Sequence, residues 1–460
     1  MKIKSTLILL GVFVVFLAFI LFLDKKPPDK AAGPQETLVS LTSADVSKIA
    51  LKRGTESLVF EKDDKGDWMV REPIAVPADR YEVDQLASSF ADLKIERVVE
   101  KEKADPAKYQ IPEREVSLWT KGQPAPVKIL IGMENPIDKS LFAQKEGDPR
   151  IVLLSGTLTS ALDKKLQDFR QKDVLKVETA EVTGIKVKAK DAAWEAVKKD
   201  GRWFLEKPVQ ALARDATIMN LLDSLSNIRA KEFVTEEKSA AALKASGLDK
   251  PEYEITLALP KAAQEVVFAL HKADDKTFAT NSQSVKIVVP ESDILPDLDK
   301  KPEEYREKKI AVFNSWQAGK LVLKKDGLSL TAVKAANDKW YFDPAQKDEA
   351  DGTKIDAFIR KIESLEAAEF IDAPKGLAEY GLDKPAAEFS ITTKESGEGA
   401  VEKTETVLVG KTDREKKQVV VKNAGLGTLF RVDAAFLDDI PKAAGDWKVI
   451  PPEKKEPEKK

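Results

Sequence analysis

The stretch Asp64-Lys65-Gly66-Asp67-Trp68-Met69-Val70-Arg71-Glu72-Pro73 occurs three times in altered form. It returns as Asp200-Gly201-Arg202-Trp203-Phe204-Leu205-Glu206-Lys207-Pro208 and as Asn337-Asp338-Lys339-Trp340-Tyr341-Phe342-Asp343-Pro344. The tryptophans stand 135 and 137 residues apart. A chain with this internal period is read as one folding unit written three times. In each copy a short apolar run, such as Leu58-Val59-Phe60, precedes polar residues that tolerate positive φ, and a second apolar run begins at the tryptophan. That order predicts strand, tight turn, strand. The proline that follows cannot donate to a ladder and ends the strand. The recurring indole is assigned to the same core position in each copy. Its competing use, a stacking platform for sugars, requires all three rings to be exposed in one line.

Downstream of each hairpin the apolar residues change period. Val83, Leu86, Phe90 and Leu93 recur at three- and four-residue steps, which predicts a helix over 79–93 with one apolar face. Asp79 is its expected cap, with Glu82 three residues on. The second copy offers Asp215, then Ile218, Leu221, Leu222, Leu225 and Ile228. The third offers Asp351 or Thr353, then Ile355, Phe358, Ile359, Ile362 and Leu365. Each helix follows its own hairpin, so its apolar face is assigned to that sheet.

A second landmark is Ser246-Gly247-Leu248-Asp249-Lys250-Pro251, matched by Tyr380-Gly381-Leu382-Asp383-Lys384-Pro385. It reads as a helix stop and turn before a strand, and it lacks the glycine spacing of a phosphate loop. The first copy has Tyr109-Gln110-Ile111-Pro112 there, without the glycine. Strands are predicted next at Val116–Trp119, Val127–Ile131, Leu141–Ala143 and Ile151–Leu154. The second copy has them at Tyr253–Leu259, Glu265–Leu270, Thr277–Thr280 and Val285–Val289, and the third at Glu388–Thr392, Thr406–Val409, Gln418–Val421 and Thr428–Val432. Short alternating strands with short loops imply an antiparallel meander. Helical segments at Leu158–Leu162, Ile294–Leu298 and Ala434–Ile440 close the copies. At the junctions, Phe169-Arg170-Gln171-Lys172 and Tyr305-Arg306-Glu307-Lys308 precede expected strands Val174–Val177 and Ile310–Phe313, and Trp447-Lys448 ends the third copy. These junctions are read as seams, with the aromatic buried and the cations snorkelling to water, rather than as sites for an acidic ligand.

Composition removes several kinds of chemistry. Lys and Arg number 75 against 78 Asp and Glu, so the net charge of −3 creates no field toward nucleic acid, and no basic stripe is present. The chain has no cysteine, which excludes disulfides, thiolate metal sites and cysteine nucleophiles. The lone histidine, His271, follows the run Val266-Val267-Phe268-Ala269-Leu270 and reads as a strand-end residue rather than a catalytic base. No catalytic, cofactor-binding or metal-ligating residue is assigned, and no cofactor is implied. A glycosidase-type site needs only two carboxylates, but three degenerate copies do not point to one specialised cleft.

Residues 1–6 form a short basic tail, and Leu7–Leu23 carry no charge over 17 residues. That reaches the lower length of a transmembrane helix. No small-x-small cleavage pattern follows before Asp24-Lys25-Lys26, so the expectation is an uncleaved signal anchor with the N-terminus cytoplasmic and the body periplasmic. Residues 24–36 read as a polar linker, 37–173, 174–309 and 310–449 as repeat modules, and 450–460 as a disordered charged tail.

With its Trp-x-x-x-x-Pro, Gly-Leu-Asp-x-Pro and Arg-x-Lys motifs, the chain resembles the bacterial family of domain of unknown function 4340 from about Leu38 to Val449. The resemblance implies tandem modules behind one N-terminal membrane segment. Such proteins occur in the setting of gliding-type ABC transporters, which implies an accessory role in the envelope, and the resemblance carries over no catalytic residues. The expected fold is α+β: three tandem modules, each a β-hairpin, a helix, an antiparallel meander and a short helix, after one transmembrane helix. The expected function is a membrane-anchored extracytoplasmic structural or interaction protein, not an enzyme. Its expected partners are the membrane, through residues 7–23, and envelope proteins such as ABC-transporter subunits, with no nucleic acid. A module binding an envelope glycan is the alternative, and a carboxylate-based hydrolase a third reading.

Overall fold

The computed structural model describes residues 36–102, 105–260, 265–342, 348–394 and 401–449. The expected tail 1–6, anchor 7–23, linker up to residue 35 and tail 450–460 lie outside the described residues. Among the described residues no helix is long and apolar enough to cross a membrane. The fold is α+β and its sheets are antiparallel. The chain divides into two compact units, one ending at Lys172 and one beginning at Asp173.

The first unit holds a sheet of nine strands. Across it run Val76–Pro77, Trp68–Glu72, Glu56–Lys62, Val46–Arg53, Arg114–Thr120, Val127–Glu134, Leu141–Lys145, Ile151–Leu154 and Arg97–Glu100. Two meanders therefore stand back to back. Their first strands, 46–53 and 114–120, pair at the centre of the sheet. The segment after the helix closes the far edge.

The second unit repeats this order twice. Its first sheet runs Ala211–Leu212, Arg202–Lys207, Ala193–Lys199, Gly184–Lys188, Tyr253–Ala258, Val266–Ala273, Lys276–Asn281, Ile287–Pro290 and Ala230–Thr235. Its second has, among the described residues, eight strands: Trp340–Tyr341, Leu328–Lys334, Ala318–Lys325, Ala387–Lys394, Glu402–Asp413, Gln418–Asn423, Leu429–Asp433 and Glu369–Ile371.

One helix packs on each sheet: α1 (Arg80–Ala91), α2 (Asp215–Ser226) and α3 (Gly352–Glu363). The apolar positions read from the sequence are the buried ones. Val83, Leu86 and Phe90 join Ile49, Phe60, Trp68 and Val116 in one hydrophobic cluster. Separate clusters form around Ile218, Leu221, Leu222 and Leu225, and around Ile355, Phe358, Ile359 and Ile362. Each fully buried side chain of this size contributes about 1.5–3 kcal/mol. The helix of each copy is thus held by its own sheet.

Several expectations need correction. Asp79 and Asp351 cap their helices, each accepting two backbone N–H groups. In the second copy the cap is Arg214; Asp215 is the first helical residue, and its carboxylate accepts the N–H of Trp203 at 2.9 Å. Glu82 does not complete a capping box, because it pairs with Lys164. Residues 174–177 and 310–313 are not strands; isolated bridges stand just before them, at Asp173↔Arg229 and Lys309↔Glu366. The strand expected from Val285 begins at Ile287, and the segment from Ala434 is a 3-10 helix. Glu36, the last residue of the expected linker, accepts the Ile95 N–H on its carbonyl at 2.8 Å. The turn of the first copy keeps the geometry of the others: Gln110 adopts φ 55°, beside 69° at Gly247 and Gly381.

Candidate functional site: the joint between the second and third sheets

The three recurring indoles come first, since every other landmark is placed from them. Trp68, Trp203 and Trp340 are 2%, 1% and 1% exposed, so none offers a face to a ligand. The Trp68 Nε1–H donates to Asp84 on α1 at 2.7 Å, and the Trp340 Nε1–H to Asp356 on α3 at 2.9 Å. The ring pins the hairpin to the helix in both. In the second copy the matching helix position is Met219, and the Trp203 Nε1–H has no partner among the described residues.

Each helix is bracketed by the segments that lead into and out of its copy. The lead-in lies along the residues just after the helix. Thr37–Ser40 pairs with Asp92–Lys94, the Val174 N–H donates to Ile228 O, and the Ile310 N–H donates to Leu365 O. The lead-out lies along the residues just before it. The Asp79 N–H donates to Phe169 O, the Arg214 N–H to Tyr305 O and the Asp351 N–H to Trp447 O, all within 2.7–2.8 Å. Asparagine side chains fix two lead-ins: Asn281 donates to Val174 O at 2.6 Å and Asn423 to Ile310 O at 2.9 Å.

Within the second unit this arrangement produces a welded joint. Residues 305–307 bond to the second sheet, through Arg214 N–H to Tyr305 O and Glu307 N–H to Leu212 O at 2.9 Å. Residues 308–310 bond to the third copy, through Ala367 N–H to Lys308 O at 2.8 Å. Between them Arg306 is 3% exposed. Its guanidinium donates both terminal nitrogens to Asp372 at 2.9 and 2.6 Å and lies 3.7 Å from the Phe370 ring centroid. Its Nε has no partner among the described residues. Arg170 is equally buried. The expectation that the junction cations snorkel to water fails for these two arginines, while Lys308 is exposed; at Arg306, stacking on Phe370 and the bidentate Asp372 offset the loss of water.

A second ionic tie flanks the first. Glu405 accepts from Asn423 at 2.7 Å and approaches Arg202 of the second sheet at 3.7 Å and Lys403 at 3.4 Å. Lys422 staples the following loop, donating to the carbonyls of Asn423, Ala424 and Leu426. Burial holds its ammonium below the ordinary lysine value. Between this loop and the edge strand Ala211–Leu212 lies a cleft of about 190 Å³, lined by Phe204, Gln210 and Thr428 among others. The ion pair Lys199–Glu206 also lines it.

His271 lies in the strand Val266–Ala273 with its ring against Gly247. Among the described residues no group of three or more His, Asp or Glu side chains could hold a metal ion. The structure thus brings together charged residues that sequence reasoning did not connect, Arg306 with Asp372 and Arg202 with Glu405. The only signal in the sequence was the repeated aromatic–Arg pair.

The family model described as Domain of unknown function (DUF4340) matches residues 68–246, 203–385 and 340–450. The chain belongs to the DUF4340 family. Each DUF4340 match begins at one of the three tryptophans, and each runs through a lead-out segment, 169–172, 305–308 or 447–448. The unit shared with the DUF4340 family therefore contains a junction rather than stopping at one. No curated protein matches the chain. Among solved structures, the crystal structure of the DNA polymerase III subunit beta from Pseudomonas aeruginosa aligns with 10% identity over 86% of this chain and 94% of that one, at a TM-score of 0.13. That score is too low to bear on fold or function.

Proposed function

We propose that this DUF4340 protein is a membrane-anchored, extracytoplasmic interaction protein that serves as an accessory of an envelope complex of the ABC-transporter type, and that it performs no catalytic step. The reading rests chiefly on the joint. A bidentate buried Arg306–Asp372 pair, a shared linker and the Arg202–Glu405 tie make two modules one body. A rigid tandem presents one long surface, which suits binding to large partners better than enclosing a small substrate. The uncharged run Leu7–Leu23 supports the anchor, with residues 24–35 as the tether. The repeated tryptophans give no support to a glycan platform, since all three are buried.

The test is a pull-down from crosslinked membranes with the full chain and with a chain lacking residues 37–449. Capture of transporter subunits only by the full chain is expected; equal capture by both refutes the interaction role. Protease added to intact spheroplasts is expected to digest the modules, and their complete protection contradicts the extracytoplasmic placement.

A further inference from the structure

Every copy opens with a 3-10 turn before its first central strand: Ser43–Asp45, Thr179–Glu181 and Ser315–Gln317. The first two read Ser-Ala-Asp and Thr-Ala-Glu, small and acidic. The third reads Ser-Trp-Gln. Two changes coincide: alanine becomes tryptophan, and the acid becomes an amide. The same turn forms with alanine and an acid in the other two copies. Trp316 is 70% exposed, in contrast to the three indoles of the repeat.

The turn beneath the ring is fixed. The Gln317 N–H donates to Asn314 O at 3.0 Å, and the Asn314 side-chain amide donates to Gln317 Oε1 at 3.4 Å. Ala318, next in the chain, is buried in the core of the third copy. Asn314 Oδ1, Gln317 Nε2 and Ser315 Oγ have no partner among the described residues, so an acceptor, a donor and a hydroxyl stand within one residue of the ring in sequence or across the turn.

We propose that Trp316, Asn314 and Gln317 form a carbohydrate-binding subsite for a β-linked pyranose polymer. A β-linked pyranose has equatorial substituents, which leave a flat C–H face to stack on an indole and a rim of hydroxyls that both donate and accept. An indole joins a large apolar face to a polar edge, which suits contact with a ligand that is apolar on one face and hydroxylated at its rim. A bilayer surface is less well matched, because Asn314, Ser315 and Gln317 carry no positive charge and add no apolar area around the ring. The proposal goes beyond the accessory role above and does not depend on which protein partner that role involves.

The test is co-sedimentation of the detergent-solubilised full chain with two insoluble probes, chitin and purified peptidoglycan sacculi. The comparison is with W316A and with the double variant N314A/Q317A. Because these side chains are exposed, the variants are expected to melt at the wild-type temperature, so lost binding reads as lost contact. Retention of the wild type on at least one probe, weakened about tenfold or more in W316A and partly in N314A/Q317A, is the expected result. No retention on either probe, or equal retention of wild type and W316A, overturns the proposal. Quenching by brominated lipid in nanodiscs that disappears in W316A, without retention on glycan, also overturns it and assigns the ring to the membrane surface.

Discussion

A buried indole needs a home for its N–H, and the three copies meet that need differently. Trp68 and Trp340 donate to carboxylates on the helix above them, Asp84 and Asp356, whereas Trp203 faces Met219 and donates to nothing among the described residues. Replacing tryptophan by phenylalanine removes a charge-assisted bond in the first copy and an unsatisfied donor in the second. W68F is therefore expected to cost about 1–3 kcal/mol more than W203F. Urea unfolding of the two variants checks this, and equal losses would show that the Asp84 bond adds nothing. A second residue-level expectation concerns Tyr253, whose hydroxyl donates to Asp299 at 2.9 Å. Burial first, then the bond to Asp299, pushes its phenol up to about 12 from the ordinary value of 10.0. The raised value means that the folded state holds its proton after the unfolded chain has lost it. Its contribution is complete below about pH 10 and falls away as the pH rises toward about 12. Stability measured across that window is expected to fall less steeply in Y253F than in the wild type.

At the scale of the element, the turn between helix and meander shows how one geometry survives different letters. Gln110, Gly247 and Gly381 all sit in the left-handed region. A side chain there costs about 1–2 kcal/mol, so Q110G is expected to raise stability by about 1 kcal/mol in chemical denaturation, provided glycine's greater freedom in the unfolded chain does not cancel it. The strand that receives the turn carries Gly132 and Gly410 in the first and third copies and His271 in the second. A Cβ on Gly132 or Gly410 would meet the carbonyl of Tyr109 or Tyr380 at 2.0 or 2.2 Å. In the second copy the crowding is reversed, since a Cβ on Gly247 would meet the His271 ring at 2.2 Å. The turn there follows an α-helix, Ala240–Ala245, instead of a 3-10 turn, and Ser246 replaces the tyrosine. G247A is expected to be destabilising and H271A to recover part of the loss, with a coupling of about 0.5–3 kcal/mol in the double-mutant cycle. The hairpin, the helix and the meander could be read from the sequence because each has a period and a stop signal. None of the central strands Val46–Arg53, Gly184–Lys188 and Ala318–Lys325 is assigned from the sequence; a bulge interrupts the two-residue alternation in the first and third, and Gly184–Lys188 pairs without one but is only five residues long. The closing strands Arg97–Glu100 and Glu369–Ile371 are short, half-buried edges that follow a helix with little apolar signal of their own. The joint was invisible for another reason: Arg306 and Asp372 are 66 residues apart, and only the fold brings them together.

Across the whole molecule, repetition sets what can be coupled to what. A module that shared only a flexible linker with its neighbour would unfold independently of it. In the second unit the linker is bonded on one side to residues 212–214 and on the other to 365–367, and Arg306 bridges both within a buried site. Breaking such a pair from one side leaves a buried charge without compensation, which typically costs 3–5 kcal/mol. Part of that cost falls here on the coupling, because Arg306 belongs to the lead-out of one copy and Asp372 to the closing edge of the next. The expected behaviour is a single calorimetric transition for the second and third copies in the wild type and two separated transitions in R306A. D372A is expected to act in the same direction, since it leaves the guanidinium buried on Phe370 with its carboxylate removed. R306M/D372L removes both charges and keeps apolar volume in the site, so it tests whether the charge itself is needed. Recovery of one transition in that variant would assign the coupling to packing and the shared linker; persistence of two would assign it to the ion pair.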